Sequence, residues 1–213
     1  MRRRLFISLF CLTAIALPVP AVIVDRTAIT VGNKVITDSE IARRIRLAAF
    51  QNGQLADLSL ASRREAAQRL IDLKLVEREM DLGHYTRTSP ADAAQLLATF
   101  TTEHFRSSPE AVRLSLAAIG LTPADLQAEF AEQADLLSFT TLRFRPAVEV
   151  SDREIEEYYR NHIQNGANPV SYADARSGIE QILANERADL DLDDWLRDQR
   201  KRTSIVYLEK DLQ

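Results

Sequence analysis

Two runs rich in β-branched residues, separated by Gly32-Asn33, constrain this chain more than any other feature. Ala28, Ile29 and Val31 precede the pair, with Val24 further upstream, and Val35-Ile36 follow it. Both turn residues tolerate positive φ, so the stretch predicts a β-hairpin. Thr37-Asp38-Ser39-Glu40 comes next with capping-box spacing and predicts that a helix starts at once, with Glu40 reaching back to the cap. A lone hairpin is marginally stable in water and must find a further partner. The opposite end of the chain offers one. Ser204 to Leu208, SIVYL, is short, apolar and β-branched, with no turn-linked partner of its own. Its pairing with Ala28–Val31 or with Val35–Ile36 would relieve the unpaired edges at both ends.

Between these ends the pattern is helical. Asp38 to about Gln51 carries Ile41 and Ile45 at helical spacing and stops at Asn52-Gly53. Gln54 to Ala61 reads as a loop. Ser62-Arg63-Arg64-Glu65 predicts a capping box for a helix running to Leu82, with Gly83 as its C′ residue. Leu70, Ile71, Leu73, Leu75, Val76 and Met80 cover more than half of that helix, so it is expected to be buried on several sides. Ser89-Pro90, Ser108-Pro109 and Thr122-Pro123 each combine an N-cap residue with proline at the first helical position. Three such starts in succession predict short helices in an orthogonal array. The third has Leu126, Phe130, Ala134 and Leu137 in register. Arg145-Pro146 breaks the run, and Ser151-Asp152-Arg153-Glu154 caps a helix with Ile155, Tyr158 and Tyr159. Gln164–Val170 is loop-like, and a long helix follows from Tyr172 through Ile179, Ile182, Leu183, Trp195 and Leu196.

The first residues have a different character. Arg2-Arg3-Arg4 followed by apolar Leu5–Leu17 and by small residues up to Ala21 has the architecture of a secretory signal, with cleavage after Ala21 expected. An uncleaved anchor is the alternative, because Val22-Ile23-Val24 lengthens the apolar run. Cleavage would leave 24 basic residues against 31 acidic, an acidic exported protein. Such a balance gives no support for nucleic-acid binding. Cys11, the one cysteine, lies inside the apolar run, so the mature chain would have no disulfide and no thiol chemistry.

Chemistry-bearing motifs are sparse. His84, His104 and His162 are far apart, and none has metal-like spacing to a second ligand. Asp189 to Asp194 invites comparison with a calcium loop, but the glycine at the sixth position is missing and Arg200 stands where a bidentate glutamate belongs. The acidic run is read as a solvated helix face or as a helix interruption capped by aspartate. No catalytic residue, cofactor site or metal site is predicted. Aromatic residues concentrate in the middle third. Most are expected to be core, with a minority lining a groove, and Phe105, Phe130, Phe139, Tyr158 and Tyr159 are the candidates for binding peptide.

Three segments together resemble the SurA family of periplasmic chaperones. They are VDRTAITVGNKVITDSEIARRI at 24–45, RREAAQRLIDLKLVEREM at 63–80, and the stretch from Tyr172 to Leu208 with Trp195-Leu196 and the closing IVYL. The resemblance implies a mainly α module of the trigger factor/SurA peptide-binding type, formed by residues 22–147 and 172–208, with a small antiparallel sheet joining the chain ends. Family members insert parvulin prolyl isomerase domains in between. Residues 148–171 resemble the place of insertion but are too few, since a domain of that kind needs on the order of a hundred residues. The implied function is ATP-independent binding of unfolded or extended envelope proteins, outer-membrane proteins above all, in the periplasm, with no cofactor. An adaptor docking on a separate parvulin or barrel-assembly protein and a prolyl isomerase without a parvulin domain are the alternatives.

Overall fold

The computed structural model describes residues 25–166 and 170–213. The proposed signal at 1–21, Cys11, Val24 and part of the 164–170 loop lie outside the described residues. The chain is mainly helical: β1 (Thr27–Val31), β2 (Lys34–Thr37), α1 (Asp38–Gln51), α2 (Leu60–Leu82), α3 (Pro90–Phe105), α4 (Pro109–Ala118), α5 (Pro123–Arg143), α6 (Asp152–His162), α7 (Tyr172–Arg202) and β3 (Ile205–Tyr207). A 3₁₀ turn at Arg145–Ala147 follows α5, and another at Lys210–Leu212 ends the chain.

The sheet has the order β2-β1-β3, antiparallel throughout, so the first strand is central and the two chain ends are tied through it. Gly32 takes φ +58 in the two-residue turn, and its N–H donates to the Ser204 carbonyl at 2.8 Å. The hairpin turn therefore joins the C-terminal segment as well as its own strands. The β1–β2 register shifts between Thr27 and Ile29. Ala28 sits at that shift, and its carbonyl accepts from the N–H groups of both Leu208 and Glu209. Ala28, Ile29, Val31 and Ile36 face the core with Ile41, Leu70, Ile71 and Leu75. Leu212, in the last turn, is fully buried in the same cluster.

Two further clusters extend the core. Leu47, Val112, Leu116, Leu121 and Leu126 join α1 to α4 and α5, with Leu97, Phe100 and Phe105 of α3 packed against them. Val76, Met80 and Phe139 join α2 to α5 and α7, with Trp195 and Leu196 packed against them. Helix α1 thus spans two clusters, Ile41 in one and Leu47 in the other.

Several local expectations are corrected. Thr37 accepts from the Glu40 N–H, but the Glu40 side chain does not reach back; it pairs with Lys74 at 3.1 Å. Helix α2 begins earlier than Ser62, because Ser59 is the cap and accepts from the Ser62 N–H. Asp57 accepts from both serine hydroxyls and from the Ser59 N–H, which makes the earlier start the better satisfied one. Gly83 is the C-cap of α2 with φ −86, and His84 takes the left-handed conformation instead. What Gly83 provides is room: a Cβ there would lie 2.5 Å from the Tyr85 ring, which packs edge-on against Phe139. Helix α5 is not short. It runs 21 residues, and Leu137 is 69% exposed although it keeps the periodicity. Of the two readings of Asp189–Asp194, the solvated helix face holds and the interruption does not, since α7 continues through it.

The predicted start of α5 is present in full. Thr122 and Asp125 exchange side chain–backbone hydrogen bonds in both directions. The Thr122 hydroxyl holds the Asp125 carboxyl below the usual carboxylate range, against a smaller upward push from burial. A depressed folded pKa contributes stability that is present above the unfolded value of 3.8 and lost as pH falls through the folded pKa. Asp125→Asn should therefore lower the melting temperature at pH 6, by an amount matching about 1 kcal/mol for a lost cap. By pH 2.5 the gap to wild type should have narrowed, which thermal unfolding at the two pH values measures.

Candidate functional site

A cleft of about 630 Å³ opens to solvent between α1, α2, α5 and α7. Its volume lies in the range of sites that take small ligands or short chain segments. Each wall follows from a helix that buries one stripe and leaves the adjacent one half-buried. Ile45 and Ala48 lie on α1 beside Ile41 and Leu47, which enter the core. Leu73 lies half-buried on the flank of α2, beside the buried Leu70, Ile71, Leu75 and Val76. Leu136 of α5 and Leu192 and Leu196 of α7 complete an aliphatic floor. Trp195 sits beside these last two, against Phe139 and Phe144, and its ring lies under the Arg143 guanidinium.

The α1–α2 loop forms one lip of the cleft. Leu55 projects from it and is 97% exposed. Covering a leucine of this kind with a partner would contribute about 1.5–3 kcal/mol. Leu58 and Leu60 next to it are also exposed. The lip is not loose chain: Gln54 N–H donates to the Ala49 carbonyl at 2.8 Å, and Asp57 accepts from the capping Ser59 and from Ser62. Its turn depends on Gly53 at φ +62.

The opposite side is polar and structured. Arg44 bridges Glu129, which is 5% exposed, and Glu132, which is 32% exposed. Gln133 donates to Glu129 and to Gln51. Arg200 from α7 crosses to Asp72 and to the side chain and carbonyl of Gln68, and so fixes α7 against α2. Lys74 lies behind this wall. Burial pulls its ammonium down, but Glu40 and Glu77 more than reverse that, and its pKa ends above the usual lysine value.

The five aromatic candidates do not meet in one place. Phe105 and Phe130 are half-buried and join Phe50 and Phe100 in a cluster, with Phe50 stacked on Phe105 at 5.7 Å and Phe100 tilted on Phe130 at 5.4 Å. Phe139 has no exposed surface and is the centre of the α2–α5–α7 core. Tyr158 and Tyr159 are on α6, away from the others; Tyr159 packs on Tyr172 and its hydroxyl donates to the Val170 carbonyl. None of the five lines the cleft. In the sequence Ile45, Leu73 and Leu196 show only helical periodicity, which does not separate a core stripe from the floor of a groove. Leu55 carried a clearer signal, an apolar side chain in a turn-rich loop.

A second, smaller groove of about 330 Å³ runs between α3, α4 and the start of α5, over Ala94, Leu97, Ala98 and Val112. Among the described residues, no cluster of His, Cys, Asp or Glu could hold a metal ion, and no helix is long and apolar enough to cross a membrane. Neither a scan against protein-family models nor a search of curated proteins finds a match to this sequence.

Proposed function

We propose that this protein is an exported, ATP-independent chaperone-like protein of SurA type that holds unfolded or extended segments of envelope proteins, outer-membrane proteins above all. The observation that carries the reading is the cleft: an aliphatic floor, an exposed leucine on its lip and a charged rim on four helices. Soluble proteins seldom leave such a concavity bare unless something fills it. Aliphatic walls accept many side chains without choosing one sequence. The sheet that ties β1 to β3 supports the same reading, because it joins the two chain ends that the resemblance assigns to one module. The activity is reversible capture, and it limits aggregation through exposed strands.

The test is aggregation of a denatured outer-membrane protein diluted from urea, followed by light scattering. Stoichiometric protein should delay it. Ala48 is exposed on the cleft wall, so Ala48→Trp should obstruct the cleft without touching the core, and the delay should shrink by more than half. No delay with the wild type, or an equal delay with the variant, would count against the cleft.

A further inference from the structure

The cleft is charged on one side of neutral. Six carboxylates line it against two arginines, and this imbalance is not removed by ion pairing. Arg44 is one guanidinium shared by Glu129 and Glu132. Arg69 is matched to Glu65 at 2.9 Å, and Arg200 from outside the lining matches Asp72 at 2.7 Å. The nearby Lys74 is committed to Glu40 and Glu77. Asp57 is held by serines, which donate hydrogen bonds but bring no positive charge. Asp193 is exposed on the α7 rim and has no ion-pair partner among the described residues. The floor between these carboxylates is aliphatic.

We propose that the cleft selects chain segments whose apolar side chains are flanked by lysine or arginine, and turns away acidic segments of equal hydrophobicity. The inference rests on the chaperone-like reading and names the class of segment the cleft prefers. An apolar segment fills the floor, and its cations meet carboxylates that have no countercharge of their own. An acidic segment meets like charge at the same positions, which costs affinity and slows encounter. Because the rim is solvent-exposed, the preference is screened by salt.

Two fluorescent peptides of identical apolar sequence, one flanked by lysines and one by glutamates, test this on the full-length protein by anisotropy. At low salt the lysine peptide should bind about tenfold tighter. The advantage should fall to about twofold or less in 0.5 M salt, where the Debye length is only a few ångström. Asp193→Lys combined with Glu65→Lys changes two exposed rim positions and should remove the preference at low salt, with thermal unfolding confirming that the variant is folded. Equal binding of the two peptides to the wild type, or a preference that survives the rim variant, overturns the charge selection and leaves the chaperone-like reading standing. Binding of neither peptide overturns both.

Discussion

Deleting residues 203–213 should unfold the whole protein, not only fray its tail. The segment removed contains β3, which pairs with the central strand β1, and Leu212, which is fully buried among Ile29, Ile41, Leu70 and Ile71. It also contains Tyr207, whose hydroxyl accepts from Gln68, and Glu209, which pairs with Arg63 and Arg26. Arg64 further donates to the Asp211 carbonyl at 2.6 Å. Leu212 alone accounts for about 2–5 kcal/mol when cut back to alanine. Domains of this kind are stable by only about 5–15 kcal/mol in total. Loss of the strand pairing and ion pairs on top of Leu212 should exhaust that margin. A graded version avoids an unfolded product: Leu212→Ala should cost about 3 kcal/mol, or roughly 6–12 °C in melting temperature. A truncated protein that melts like the intact one would refute the role given to the closure.

Arg44→Ala should have the next largest effect. Arg44 is the ion-pair partner of Glu129 and Glu132, and Glu129 is buried. Removal of the guanidinium strands a carboxylate with only Gln133 to donate to it. Breaking a buried pair from one side costs about 3–5 kcal/mol, while replacing both partners with apolar residues of similar volume is often neutral. The double variant Arg44→Met, Glu129→Leu should therefore recover most of the loss in chemical denaturation. A double variant no better than Arg44→Ala would mean that the ion pair itself, and not the stranded charge, sets the cost.

What the sequence disclosed follows the range of the interactions involved. The hairpin turn at Gly32 and the caps at Ser89, Ser108, Thr122 and Ser151 depend on residues within four positions of one another, and all are where the local pattern put them. The start of α2 is ambiguous in the sequence because Ser59 and Ser62 are both competent caps three residues apart. Only Asp57, which binds both, decides between them. The partner strand for SIVYL was legible from the shared problem of unpaired edges, and the central position of β1 was not, since either hairpin strand could have served. Leu137 shows the limit of periodicity: it follows Leu126 and Phe130 on the same helix, yet the C-terminal half of α5 buries a different face, through Phe139 and Thr140, and leaves Leu137 exposed. The cleft was not legible. Its walls come from positions as distant as Ile45 and Leu196, and only the tertiary packing of four helices brings them to one surface. Aromatic composition does not distinguish Phe139, at the centre of a core, from a ring on a surface.

The most direct measurement is site-specific photo-crosslinking to a denatured outer-membrane protein. A photoreactive residue would replace Leu55 or Ala48 at the cleft, or Leu142, which is exposed on α5 outside it. Holding of unfolded chains in the cleft predicts adducts from Leu55 and Ala48 and few from Leu142. Adducts that form as readily from Leu142, or none from the two cleft positions, would contradict it.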